Sequence, residues 1–429
     1  MPLSLRAIAY FCALSLILLA SFRLAKILLA ALALITDLTY SSDQERVPQR
    51  ENTAIIGVFV IACGIQIPTT LLGVIELVSN NYYVQGLGPS SVVDVGAFGM
   101  LAIGAASVLA VPAGQTRKVA SPAVAMLLVG MSATAYVFLA FILLVTSPGA
   151  IEVWEAVVTV ALLPAVGLGI ARASAAHPVG GVYALHESVS TEEDNGSRPP
   201  PQTELDTTSK RAWPGAWWSC RSRGLSCVVP PIRRCGGWPA AATCLMYSGL
   251  LAALAGDLSA MLGCVLGLDE ALMALYVGIP CGVASQLFCA VHAARYSAHA
   301  DLALAIIAGL NISAVSVGVG IPWLTGAVYW AAAGTTAESA VASRLSGGDY
   351  HAALMVPGGA IGFSVAAYCM CALAGVGGFV FQRLAWKGAE LSGTRFAACG
   401  TASFLFAVWI AYACAVTLNR LHAGVPLGA

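Results

Sequence analysis

The residues able to do chemistry in this chain are a few polar side chains set inside long apolar runs. Gly64-Ile65-Gln66-Ile67-Pro68 interrupts one run, and Gly86-Leu87-Gly88-Pro89-Ser90 precedes the next. A proline and glycines inside a membrane-length helix break the backbone ladder. A bilayer tolerates this only where the freed groups face protein or a hydrated cavity. In transporters, helices interrupted in this way surround the ion site. Asp257 lies within a later run and reads either as an ion-pathway acid or as a helix-end acid paired with Lys or Arg. Asp94, near the start of a run, reads either as an ion-site carboxylate or as an interfacial acid. Asp301 also begins a run and complements the positive end of its helix.

Other chemistries find less support. His292 and His299 flank Arg295 and could form a metal or proton relay, but their position at the end of a run fits an interfacial face. Cys220, Cys227 and Cys235 lack the Cys-x-x-Cys spacing and nearby histidines of a zinc site, so they read as free or lipid-modified thiols. No nucleophile and base stand at a specific spacing. An enzyme is therefore not expected, and no cofactor is implied.

The chain that holds these groups has 429 residues, of which 59% are hydrophobic and 10% charged. Soluble domains carry about 25% charged residues, so this is an integral membrane composition. Formal net charge is zero and no phosphate loop or RNA-binding motif is present, which excludes a nucleic-acid role. The expected partners are the lipid bilayer and small cations; the sequence names no protein partner. The thirteen cysteines lie mostly in apolar runs as small packing residues. The protein is expected to be multi-pass, in the plasma membrane or an organelle membrane.

Spans of about 20 apolar residues fall at 7–36, 53–78, 91–112, 121–146, 151–174, 241–264, 268–294, 301–330, 352–382 and 396–419. The first run is too long for the core of a cleaved signal peptide. Arg23 and Lys26 share a face of it, so one long tilted helix is expected, with a short signal ending near Arg23 as the alternative. A break is expected near Pro322, and Gly358, Gly359 and Gly362 loosen the ninth span. Residues 175–240 change character to Ser, Thr, acids and Arg198-Pro199-Pro200-Pro201, a linker expected to be largely disordered. Its later arginines alternate with Trp213, Trp217 and Trp218, a pairing that suits a membrane interface.

Lys and Arg set the orientation. Seven lie in the linker; Arg46, Arg50, Arg117, Lys118, Arg295, Arg383, Lys387 and Arg395 lie in the other odd-numbered loops, against Arg344 alone in the even ones. The positive-inside bias then places the odd loops and the linker in the cytosol. Five spans per half put the halves in opposite orientations, the arrangement of inverted-repeat transporters. The expected fold is all-α and membrane-spanning, with ten helices in two inverted five-helix repeats. The boundaries are 1–174 for the first repeat, 175–240 for the cytosolic linker and 241–429 for the second repeat.

Several segments, taken in order, carry a family resemblance. They are Ala62-Cys63-Gly64-Ile65-Gln66-Ile67-Pro68-Thr69, Val74-Ile75-Glu76, Gly86-Leu87-Gly88-Pro89-Ser90, Ala97-Phe98, Thr116-Arg117-Lys118, Ser147-Pro148-Gly149 and Glu152-Val153-Trp154-Glu155. The second half adds Gly256-Asp257-Leu258, Gly263-Cys264, Gly267-Leu268, Gly309, Asn311, Ala327-Val328-Tyr329 and Gly388-Ala389-Glu390-Leu391. This series resembles the sodium/calcium exchangers of the calcium/cation antiporter superfamily. The resemblance implies sodium-driven calcium transport through oxygen ligands at the bilayer midplane.

The ligand set departs from that family. Its Ser-Ser-Ala-Pro-Glu stands here as Ile65-Gln66-Ile67-Pro68-Thr69, and its Thr-Ser-Val-Pro-Asp as Gly282-Val283-Ala284-Ser285-Gln286. On the partner helices, Asp94-Val95-Gly96-Ala97-Phe98-Gly99 and Gly309-Leu310-Asn311-Ile312-Ser313-Ala314 each lose a serine and an asparagine ligand, the latter at Gly99 and Ala314. Calcium takes six to eight oxygens, with carboxylates supplying countercharge. Gln66, Thr69, Gln286 and Asn311 supply neutral oxygens only. Asp94 and Asp257 are the acids left to join them. The expected function is a cation antiporter of this type with altered selectivity or reduced activity. The alternative is a transport-inactive pseudo-exchanger that acts as a membrane interaction or regulatory protein. The linker leaves no room for the calcium-sensing β domains of animal exchangers.

The charge asymmetry is checked by labelling. An impermeant thiol reagent should miss Cys220 and Cys235 in intact cells that display the protein and reach them after permeabilisation. Strong labelling of intact cells would refute a cytosolic linker.

Overall fold

Long apolar runs in a bilayer must pair their backbone groups internally, and helices do this within one segment. The computed structural model describes residues 3–41, 64, 66–84, 87–112, 115, 117–119, 122–147, 150–176, 229–230, 237–297, 299–333, 353–356, 358–385 and 395–422. Helix α1 is Leu3–Ser41, α2 is Gln66–Ser79, and α3 comprises Leu87–Ala97, a π-helical segment Phe98–Ile103 and Gly104–Ala110. Next come α4 (Pro122–Phe141, ending in the π-helical Ile142–Thr146), strand β1 (Ala150–Ile151) and α5 (Val153–Ala176). After the linker, α6 is Trp238–Leu266. Helix α7 combines Glu270–Met273, the π-helical Ala274–Gly278 and Ile279–Gly282, and is followed by α8 (Ala284–Tyr296). Helix α9 is Asp301–Ser313, the π-helical Ala314–Val319 and Gly320–Ala333; strand β2 (Leu354–Met355), α10 (Gly358–Ala385) and α11 (Arg395–His422) complete the chain.

Among the described residues, eight helices are long and apolar enough to cross a membrane, or nine if the bent pair around Val283 is one span. The first part of the expected second span, 53–63 and 65, and nearly all of the linker at 175–240 lie outside the described residues. The remaining helices overlap the spans read from hydropathy.

The expected break near Pro322 is corrected. Helix α9 continues through that proline to Ala333. A proline crowds the carbonyl four residues earlier, here Gly318, which lies in the π-helical segment just before it. The wider turn accommodates the ring. The sharp bend falls instead at Val283, where α7 and α8 meet at 59°. Pro280 and Gly282 precede it, and Val283 adopts φ −96°, ψ 16°, in the bridge region.

Helices α3 and α9 form the centre. In their apolar windows 72% and 83% of residues are buried, against 11% for α1, so they alone are enclosed by protein. Helix α1 packs along α6 and α8, while α3 packs on α10, α11 and α9. Gly96 permits close approach to α4, because a Cβ there would overlap the Tyr136 hydroxyl.

Loops are tied together in pairs. Strands β1 and β2 pair antiparallel, Ala150 with Met355 and Ile151 with Leu354. Elsewhere, Arg117 Nη2 donates to the Arg295 carbonyl at 3.2 Å, and the Ala300 amide donates to the Lys118 carbonyl at 3.1 Å. Burial lowers the Arg117 guanidinium pKa from its ordinary value. After α2 the chain turns through Asn81 and Tyr82 at positive φ, 55° and 63°. Such a tyrosine must be held by its surroundings. Its ring stacks on Tyr329 at 3.7 Å, and Trp330 Nε1 donates to its carbonyl at 3.0 Å.

The close contact at Gly96 is directly testable. Gly96→Val should lower stability by about 1–3 kcal/mol through overpacking, read as an earlier melting transition in detergent. Gly96→Ala should be partly rescued by Tyr136→Phe. A wild-type melt for Gly96→Val would contradict the packing.

Candidate functional site

A cavity of about 780 Å³ opens between α2, α3, α6, α7, α8, α9 and α11. The broken or widened helices deliver its walls: Gly278, Gly282 and Val283 at the bend, and Ala314 and Gly318 in the π-helical segment of α9. Gly278 is needed for packing here, since a Cβ would meet Ser259 Oγ at 2.7 Å. Ser259 spends its proton on the Gly256 carbonyl, 2.7 Å away. Among the lining residues, Glu76, Asp94, Asp257 and Arg420 are charged. Three carboxylates and one guanidinium leave a formal charge of −2.

These charges are not equivalent. Glu76 and Asp257 are exposed, so water and salt screen them. Asp94 is only 2% exposed. Arg420 Nη2 donates to Asp94 Oδ2 at 3.2 Å as an ion pair, and the Tyr412 hydroxyl donates to Oδ1 at 2.6 Å. Tyr412 and Arg420 stand eight residues apart on α11, two turns along one face. The Asp94 carboxylate is therefore enclosed, paired and hydrogen-bonded. Asp257 makes no ion pair among the described residues.

At the bend, Gln286 is buried and lines the cavity, and its Oε1 accepts no hydrogen bond among the described residues. The first turn of α2 brings Gln66 to the opposite wall, where its carbonyl accepts from the Thr70 hydroxyl at 2.8 Å. Four of the six candidates, Gln66, Asp94, Asp257 and Gln286, thus share one cavity. Thr69 belongs to α2, but its side chain lies outside the described residues. Asn311 is not part of the lining. It is buried, and its Oδ1 accepts no hydrogen bond among the described residues.

The neighbourhood of Asn311 shows what replaced the absent ligands. A Cβ on Gly99 would meet Leu310 Cδ2 at 2.8 Å and Asn311 Oδ1 at 3.2 Å. Gly99 and Leu310 are both positions where the family resemblance expects polar ligands. Here the Leu310 side chain packs closely against Gly99.

Glu76, Tyr412 and Arg420 were not selected from the sequence as site residues. Glu76 stood within the Val74-Ile75-Glu76 segment, a usable signal. Arg420 gave only a charge near the end of an apolar run, which reads as an interfacial anchor. His292 stacks on Tyr296 at 4.5 Å, and no group of three metal-ligating side chains occurs among the described residues.

No family model matches the chain. Human sodium/calcium exchanger 3 is 29% identical over 196 residues, covering 46% of this chain and 19% of that protein. Human sodium/calcium exchanger 2 is 32% identical over 193 residues, covering 44% and 19%, and mouse sodium/calcium exchanger 1 is 33% identical over 189 residues, covering 44% and 18%. The match thus spans under a fifth of the length of these relatives. Among solved structures, the sodium-calcium exchanger NCX_Mj gives a TM-score of 0.48 at 10% identity over 95% of this chain and 98% of that one. The H+/Ca2+ exchanger CAX gives 0.43 at 13% identity over 98% and 91%. The chain is thus similar to sodium/calcium exchangers over less than half of its length, and its long apolar helices are those of a multi-pass integral membrane protein.

The two buried tyrosine hydroxyls predict opposite outcomes. Tyr412→Phe removes a hydrogen bond to a carboxylate and should cost about 1.5–3 kcal/mol. Tyr136→Phe removes a buried hydroxyl that has no hydrogen-bond partner among the described residues and should be neutral or stabilising. Thermal melts of the two purified variants check the order, and an equal loss in both would contradict it.

Proposed function

From a chain related to the sodium/calcium exchangers, we propose a membrane cation antiporter of that type with altered ion selectivity and weak calcium exchange. The observation that carries this reading is Gln286. It stands beside the helix bend in the family's acid position and lines the cavity, and its buried Oε1 accepts no hydrogen bond among the described residues. A divalent ion seated there would have neutral oxygens at the bend and its countercharge only on the exposed wall. A monovalent cation needs less compensation. Glu76 and Asp257 draw cations to the cavity, and Gln66, Thr69 and Gln286 take part in holding them. The transported ions are drawn from sodium and calcium, and no cofactor takes part.

The proposed architecture is ten helices in two inverted repeats, 1–174 and 241–429, with 175–240 as a cytosolic linker. In this reading α2 corresponds to the bent α7–α8 pair. Helix α3 corresponds to α9; both are the central, π-containing helices of their halves. The charged lining residues stand near the end of α2, the start of α3, the latter part of α6 and the end of α11. The Lys and Arg distribution places all four toward the outer side, so the cavity opens outward.

One observation favours a transport-inactive pseudo-exchanger: the Leu310 side chain packs where the resemblance expects ligands. Flux separates the two readings. In proteoliposomes the wild type should show little sodium-dependent calcium-45 uptake while still exchanging monovalent cations. Absence of all cation flux would favour the pseudo-exchanger, and robust calcium exchange would refute altered selectivity. Thr69→Glu with Gln286→Asp should increase calcium binding, because it places one carboxylate on each interrupted helix. Neither substitution alone should suffice, since a divalent ion needs more than one compensating charge. Binding should recover more readily than turnover, because Gly99 and Ala314 still lack ligands.

A further inference from the structure

We propose that Arg420 sets the selectivity of the cavity by acting as a tethered cation: its guanidinium occupies the Asp94 carboxylate and excludes divalent ions from it. The inference rests on the cavity being the cation site proposed above. Asp94 offers what a hard cation requires, a carboxylate enclosed by protein at the cavity wall. Both of its oxygens are already engaged, Oδ2 by Arg420 at 3.2 Å and Oδ1 by Tyr412 at 2.6 Å.

Three features argue that the guanidinium stands in a cation's place. Arg420 itself lines the cavity, so the pair faces the open space. Tyr412 engages Oδ1 from two turns earlier on the same helix, which leaves Oδ2 to Arg420. Guanidinium stays protonated at every physiological pH and is weakly hydrated, so it leaves the carboxylate only by moving. A calcium ion would have to displace it and leave two positive charges beside one acid. A monovalent cation held by neutral oxygens at the bend has no such conflict.

The test compares the purified full chain with Arg420→Gln, Arg420→Lys, Asp94→Asn and the double variant Arg420→Gln/Asp94→Asn. Calcium-45 equilibrium binding and calcium-dependent thermal shift are measured on each. Arg420→Gln should bind calcium at least tenfold more tightly than wild type. Arg420→Lys, which keeps the positive charge, should behave like wild type. The double variant should lose the gain. If Arg420→Gln is unstable without calcium, added calcium should raise its melting temperature while the double variant folds unaided. No gain and no calcium rescue in Arg420→Gln overturns the proposal, as does a double variant that binds as tightly as the single one. Wild-type cation flux reports on the transporter reading separately: its absence would refute that reading and leave the binding comparison intact.

Discussion

The structure depends first on the rule that a backbone group inside a bilayer must be paired, hydrated or covered by protein. A continuous helix satisfies the rule by itself, but it presents no backbone and little polar surface to an ion. Each departure from the regular ladder must therefore be enclosed. The π-helical segments of α3 and α9 lie in the two most enclosed helices, and the bend at Val283 opens onto the cavity. Helix α1, most of whose surface faces outward, is regular throughout its length. Irregular backbone and burial go together in α3 and α9, whereas the π-helical end of α4 leaves Leu144 and Val145 exposed.

Electrostatics then decides what the enclosed space admits. The scaffold keeps the glycines and prolines that interrupt helices, while the side chains at the interruptions are neutral or apolar. One charged side chain at a helix centre costs about 2.5–3.5 kcal/mol on the insertion scale. Losing the acids at Thr69 and Gln286 therefore relieves the fold of a cost that only a bound ion would offset. Asp94 is the enclosed acid, and α11 supplies it with both a guanidinium and a hydroxyl. In the proposed reading, stability and ion selectivity rest on the same few side chains.

Much of the helix layout was legible in the sequence, because span length and apolar content are local properties. The span read at 301–330 is observed as a helix over Asp301–Ala333, and that at 396–419 as Arg395–His422. Proline positions were less decisive. Pro322 passes inside a helix because a wide turn precedes it, whereas Pro280 stands three residues before a sharp bend. Propensity alone does not separate the two cases, since the outcome depends on neighbouring helices. The cavity residues Gln66 and Gln286 were singled out through the family resemblance, and Asp257 as an acid inside an apolar run. Asp94 was found without its partner, because Arg420 lies 326 residues away and no periodicity links them. The burial of Leu310 against Gly99 was likewise invisible, since it joins faces of two helices that hydropathy does not orient.

That separation along the chain also governs assembly. Helices enter the membrane in the order in which the ribosome makes them, and α3 emerges long before α11. Throughout that interval Asp94 lacks the guanidinium that pairs it in the folded chain, and its carboxyl must stay hydrated or protonated. The early helices must wait, held near the interface or by the insertion machinery, until the final one arrives. A nascent chain stalled ahead of α11 carries this unpaired acid as a mark of incompleteness. Completion of the fold is thus a late event, timed by the synthesis of α11 and not by that of α3.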